Sequence, residues 1–133
     1  MTRFNTTTPV VVVSCELAAL AIMRSLGSLG VPVYGVDGDP GSPGMRSRYC
    51  RDRFILRFDE EHPGPYLEGL LAVGRRLGRK SILIATSDET TQFVSDNAEA
   101  LSEYFIFQDN SPALVRRLAS KKEMFGLAMA HNV

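Results

Sequence analysis

Apolar positions along this chain change period again and again, from continuous or alternating runs to one-sided spacing of three and four. Residues 10–14 begin with four valines, the pattern of a strand buried on both faces. Residues 17–29 read as a helix with Ala18, Ile22, Leu26 and Leu29 on one side, ended by Gly30. Pro32 leads into a second strand at 33–37, and the Gly- and Pro-rich stretch 38–44 predicts a loop. Across 53–58, Phe54, Leu56 and Phe58 alternate with Arg53, Ile55 and Arg57, which predicts a strand near an edge with one wetter face. After the loop 62–65, residues 66–77 form an amphipathic helix turning Leu67, Leu70, Leu71, Gly74 and Leu77 inward. Residues 81–85 predict a buried strand. Thr86 and Glu89 have the spacing of a capping box, opening a helix through Phe93 and Val94. A fifth strand is expected at 104–108, and Ser111-Pro112 places a cap and a first-turn proline at the next helix. Ser120 and Glu123 form another capping box. The apolar face Met124, Leu127 and Ala128 follows, Asn132 can close the helix, and Val133 begins a further element.

Strands separated by helices imply a parallel sheet with right-handed crossovers. The expected fold class is α/β: a three-layer α/β/α Rossmann-like domain with a mostly parallel sheet of about five strands. The expected organisation is a flexible polar tail at 1–8, the domain at 9–119, and the start of a linker helix at 120–133. A chain that stops as a new element begins reads as the first domain of a longer enzyme.

Bulk properties narrow the field. The 133 residues are 44% hydrophobic, enough for one domain with a core. Fifteen basic and fifteen acidic residues cancel, so no global field attracts nucleic acid or an anionic membrane. No apolar run approaches the ~20 residues of a membrane span, and the start of the chain lacks the apolar stretch of a signal peptide. Cys15 and Cys50 are too few for a disulfide framework, although one bridge between them stays open. The expectation is a cytoplasmic protein.

In sheets of this kind ligands lie beyond the carboxyl ends of the strands. The positions to weigh are therefore 14–16, 37–44, 59–61, 86–89 and 109–111. A dinucleotide site needs glycines after the first strand so that backbone can approach pyrophosphate. Here that turn is Ser14-Cys15-Glu16, and Glu16 puts negative charge where phosphate would sit. Asp37 has the spacing of a ribose-binding acid, but without the glycines it is a false friend. No P-loop sequence exists. The acidic pair and final lysine of a phosphoacceptor receiver are missing too, since Glu16 stands alone and Gln108-Asp109 follows the last strand.

Ser87, Asp88 and Glu89 are the candidate substrate-binding residues. Capping explains Thr86 and Glu89 and leaves Ser87 and Asp88 without a required role. Lys121 and Lys122 fall in a first helical turn, where cations oppose the helix dipole; a phosphate meeting one of them at the free amides would give that placement a use. Arg46, Arg48, Arg51, Arg53 and Arg57 cluster as either a solvated face or an anion or partner site. Cys15 reads as a small buried packing residue, with a helix-activated thiol as the alternative. No metal-ligand spacing joins His62 or His131 to the cysteines, so no structural metal is expected.

These segments, taken in order, resemble the amino-terminal (pre-ATP-grasp) domain of ATP-grasp carboxylate–amine ligases of the carbamoyl-phosphate synthase-like and D-aspartate ligase-like kind. The resemblance is carried by Arg24-Ser-Leu-Gly-Ser-Leu-Gly-Val-Pro-Val-Tyr-Gly-Val-Asp37, Ser42-Pro-Gly-Met-Arg-Ser-Arg-Tyr49, Ile84-Ala-Thr-Ser-Asp-Glu89, and Leu118-Ala-Ser-Lys-Lys-Glu-Met-Phe125 through Asn132-Val133. The chain departs from the family at Ser14-Cys15-Glu16, where glycines are common, and at Ser120, where an acid is common. What the resemblance implies is an ATP-dependent carboxylate–amine (or thiol) ligase acting through an acyl phosphate. ATP and Mg2+ would be held mostly by later domains, with Lys121 near the nucleotide phosphates. Ser87, Asp88 and Glu89 would form one wall of the cleft. Its partners would be a small carboxylate and an amine, with neither nucleic acid nor membrane. The isolated chain would fold without hydrolysing ATP. Pairing of two copies through a sheet edge would make a homodimer. A stand-alone binding or assembly module using the arginine face is the alternative from another class, and a small-molecule sensor built on the 37–44 loop is a third.

Overall fold

The computed structural model describes residues 7–107. Its strands are β1 (Val10–Val13), β2 (Val33–Asp37), β3 (Cys50–Ile55), β4 (Ser81–Ala85) and β5 (Phe105–Ile106). Its helices are α1 (Leu17–Gly27), α2 (Gly64–Leu77), α3 (Asp88–Asp96) and α4 (Ala98–Leu101), with a 3-10 turn at Gly44–Arg46. The sheet order is β3-β2-β1-β4-β5, and every pairing is parallel. β1 pairs on both edges, Val10 with Val33 and Ile82, Val13 with Val36 and Ala85.

The four valines of β1 organise the layers because alternate side chains leave opposite faces of a strand. Val11 and Val13 pack with Tyr66, Leu70, Val73, Phe93 and Val94 of α2 and α3. Val10 and Val12 pack with Ala19 and Met23 of α1. Helices therefore cover both faces, as expected for a three-layer α/β Rossmann-like domain. Three rings close the α2–α3 side: Phe58, Tyr66 and Phe93 meet edge to face with centroids 5.1–5.6 Å apart.

Several boundaries differ from expectation, each for a local reason. α1 stops at Gly27, and Gly30 takes φ +89° in the connection that follows, where the Val31 N–H bonds to the Leu26 carbonyl at 3.2 Å. Leu29 thus lies beyond the last turn and is 53% exposed. The buried stripe is Ala19, Ile22, Met23 and Leu26; Ala18 faces outward. β3 is assigned to Cys50–Ile55, earlier than 53–58, because its pairing with β2 begins at Cys50 and shifts register between Val33 and Tyr34. The alternation still holds: Phe54, Leu56 and Phe58 touch the core, while Arg53, Ile55 and Arg57 are exposed. β3 is an edge of the described sheet, as its wetter face predicts. α2 has proline in its first turn and ends on Gly78 at φ +73°, a left-handed cap that suits glycine. The expectations for Gln108, Asp109, Ser111-Pro112, the Ser120–Glu123 box, Lys121, Lys122 and His131 lie outside the described residues.

Leu70 is fully buried where α2 meets the sheet. Leu70→Ala is expected to lower unfolding free energy by about 2–5 kcal/mol, read as a lower urea midpoint with an unchanged m-value.

Candidate functional site

The sheet reverses its build direction at β1: β2 and β3 extend one way, β4 and β5 the other. At such a switch point the loops after neighbouring strands diverge and leave a crevice at their carboxyl ends. Here the loops are those after β1, β2 and β4.

β1 must turn sharply into α1 without a glycine. Ser14 takes the left-handed conformation, φ +68°. Such a non-glycine residue costs on the order of 1–3 kcal/mol and persists only where its surroundings hold it. The ends of the two neighbouring strands, β2 and β4, supply that hold. The Ser14 N–H donates to the Val36 carbonyl at 3.0 Å, and the Thr86 hydroxyl donates to the Ser14 carbonyl. The Cys15 N–H donates to Asp37 Oδ2 at 2.7 Å. Asp37 Oδ1 accepts the Asp39 N–H at 2.9 Å, so one carboxylate ties the β1 turn to the loop after β2. Both oxygens of the acid that mimics a ribose ligand in the sequence thus hold backbone amides.

The turn after β4 is built on hydroxyls, and here the capping expectation is corrected. Ser87, not Thr86, caps α3; its side chain accepts the Thr90 N–H at 3.2 Å. Thr90, not Glu89, completes the reciprocal box, because its hydroxyl lies within reach of the Ser87 N–H at 3.4 Å. Thr86 is used instead to brace the Ser14 turn. The Ser87 hydroxyl also lies 2.7 Å from that of Thr90 and 3.2 Å from that of Ser14. Glu89 is thereby released from any capping duty, and it is exposed.

A cleft of about 660 Å³ opens over these turns, walled by Ser14, Glu16, Asp37, Asp39, Ser87 and Glu89. Of the three candidate substrate residues, Ser87 and Glu89 line it; Asp88 is exposed in the same helical turn and does not. Lys121 is outside the described residues. The described lining carries no lysine or arginine, so four carboxylates set its potential. Such a cleft favours cations and polar N–H donors and repels phosphate. Glu16, Asp37 and Asp39 were legible only as residues following strand ends, and nothing in their spacing joined them to Glu89.

The remaining candidates separate cleanly. Cys15 is fully buried, and burial, the main cause, pushes its thiol up to about 12; a bond to the Val36 carbonyl opposes this, and the Asp37 charge and Cys50 add to it. Cys50 is raised too, again mainly by burial. Both are free thiols, which answers the question of a bridge. His62 pairs with Asp59 at 3.4 Å in the open. Arg53 is tied to the Met45 and Ser47 carbonyls. Among the described residues no group of three or more metal-ligating side chains comes together.

Two predictions separate bracing groups from free ones. Asp37→Ala is expected to cost about 1.5–3 kcal/mol, the worth of hydrogen bonds to a charged acceptor. Glu16→Ala and Glu89→Ala should change stability by less than about 0.5 kcal/mol, as exposed positions do; thermal melts of the three variants compare them. Cys15 should resist alkylation at neutral pH in the native state and react on unfolding. A thiol neutral up to about 12 when folded, against 9.0 in the open chain, binds more protons folded than unfolded in between. Its contribution to stability is therefore complete below pH 9 and lost as pH rises toward 12, which a denaturation series across that range would read.

No protein-family model and no curated protein matches the chain. Solved structures do. The biotin carboxylase domain of a single-chain bacterial carboxylase aligns over 95% of this chain with a TM-score of 0.54 and 22% identity. Glycinamide-RNase-transformylase T from Mycobacterium tuberculosis aligns over 91% with a TM-score of 0.57 and 23% identity. The chain spans 30% and 31% of the lengths of those two proteins. Both are ATP-grasp enzymes. At these identities the likeness is one of fold: the chain has the Rossmann-like architecture that the resemblance to a pre-ATP-grasp domain anticipated.

Proposed function

We propose that this chain serves as the amino-terminal domain of an ATP-dependent carboxylate–amine (or thiol) ligase, and that the cleft at the switch point receives the amine end of a substrate. One observation carries this reading. The cleft gathers Glu16, Asp37, Asp39 and Glu89 with the Ser14 and Ser87 hydroxyls, and its described lining has no cation. The fold likeness to two ATP-grasp enzymes supports the reaction type.

The chemistry follows from the charges. Asp37 is occupied in bracing the turn, while Glu16 and Glu89 are exposed and able to face a ligand. Carboxylates on two walls hold an ammonium or amine by charge-assisted hydrogen bonds. When the nitrogen attacks an acyl phosphate, its bond to the acyl carbon forms, phosphate leaves, and the nitrogen sheds a proton. A carboxylate beside it takes that proton. The same charges are unsuited to the phosphates of ATP, so this reading places the nucleotide and its Mg2+ on other parts of the enzyme, with Lys121 approaching the phosphates. When bound, they supply the phosphoryl group that activates the carboxylate and the charge that offsets it. The cleft's own work is to bind, orient and deprotonate the amine.

The test uses the whole protein from its source cells, with ATP, Mg2+ and a panel of small carboxylates and amines. Amine-dependent release of phosphate is expected. Glu16→Gln and Glu89→Gln should each raise KM for the amine by about tenfold or more, the loss of one charge-assisted contact, with KM for ATP unchanged. The chain of 133 residues by itself should release no phosphate. An unchanged amine KM in both variants would exclude the cleft as the amine site. ATP turnover by the isolated chain would overturn the division of labour.

A further inference from the structure

The Gly- and Pro-rich loop after β2 has two sides, and they carry opposite charge. One side is the acidic cleft. The other is a groove of about 820 Å³ between α1 and the segment that follows the loop. Gly41 and Pro43 line both, so the loop is the partition. Arg24, Arg46 and Arg48 line the groove, no aspartate or glutamate among the described residues does, and Leu20, Pro43 and Tyr49 give it apolar surface. In a chain whose charges cancel overall, this is a local concentration of one sign.

The three arginines are held differently. Arg48 is fixed: its guanidinium lies over the Tyr49 ring, 4.9 Å from the centroid, and donates to that residue's hydroxyl at 2.9 Å. This makes a planar platform with charge already in place. Tyr49 is itself set by the close approach of α1, since a side chain at Gly27 would fall 2.5 Å from the Tyr49 Cβ. Arg24 and Arg46 are exposed, and their guanidinium groups make no hydrogen bond or ion pair among the described residues. Their guanidinium donors remain available. Guanidinium groups converging on an anion bind phosphate through paired N–H donors, and a volume of this size falls in the range of small-molecule sites.

We infer that this groove is a binding site for a phosphate-bearing small molecule, its phosphate on Arg24 and Arg46 and its less polar part against Tyr49 and Leu20. The site stands apart from the amine cleft and does not depend on the ligase reading. Phosphate is placed here by the same electrostatics that keeps it out of the cleft. A small ligand fits better than an acidic peptide, because the groove combines its charges with an apolar platform and is bounded by the loop.

The test is a titration of the 133-residue chain with inorganic pyrophosphate and with AMP at low salt, followed by amide NMR. Saturable shifts are expected at Ser47 and Tyr49, which belong to the groove, with smaller ones at Ser14 and Ser87 in the cleft. AMP should move Tyr49 more than pyrophosphate does. The double variant Arg24→Glu with Arg46→Glu should weaken binding at least about tenfold and keep the dispersed spectrum of a folded chain. Arg24→Gln with Arg46→Gln serves as the milder control if charge reversal disturbs folding. Affinity should fall with added salt. No saturation with either probe up to about 5 mM, the weak end of specific binding, would overturn the inference. So would equal binding by the folded double variants, shifts centred on the cleft, or binding of polyglutamate with neither phosphate probe.

Discussion

Everything in this domain depends on how one short strand is satisfied. Val10–Val13 are buried on both faces and need backbone partners on both edges. In an apolar interior an unpaired amide or carbonyl is expensive, so β2 and β4 must flank β1. Parallel partners need crossovers, and the crossovers carry α1 to one face and α2 to the other. The three layers are thus the means by which a four-valine strand is buried without orphaned polar groups. The reversal of build direction at β1, and with it the crevice, comes from the same arrangement.

At that crevice the chain departs from the usual way of making a ligand site. A glycine turn lets backbone come close to phosphate. Ser14 adopts the left-handed geometry without being glycine, and the strain is offset by Val36, Asp37 and Thr86. The result is a turn braced by side chains from two neighbouring strands, with a carboxylate built into its support. Asp37 therefore serves the fold first. Its charge also adds to the negative potential that four carboxylates set in the cleft, which favours cations.

The loop that follows β2 extends this logic across the surface. It is pinned by the Asp37 and Asp39 side chains on the cleft side, and beyond it Gly44 donates its N–H to the Cys15 carbonyl at 2.7 Å. Pinned in this way, the loop stands between an acidic cleft and a basic groove within one small domain. Opposite charges on a mobile loop would instead pair with each other.

Much of the fold was written locally. Four successive valines, the strands at 33–37 and 81–85, the amphipathic α2 and the edge character of β3 were readable because each follows a short-range period that burial imposes. Errors fell where long-range contacts choose between neighbouring options. Ser87 and Thr86 are equally good caps by chemistry, and the choice went to Ser87 because β1 required the Thr86 hydroxyl elsewhere. Leu29 fitted the helical stripe of α1, but the helix had already ended. The cleft was legible only in part: Ser87 and Glu89 could be named as positions after a strand, and Glu16 and Asp37 could be named as charges. That they share one cavity with Asp39 depends on sheet order, which a chain without long-range contacts does not specify. The sequence by itself determined the elements, the parallel sheet and the absence of a glycine phosphate turn, because these rest on local periodicity and residue type. The tertiary structure alone decided which carboxylates bind amides and which stand exposed in the cleft, because that depends on which strands lie side by side.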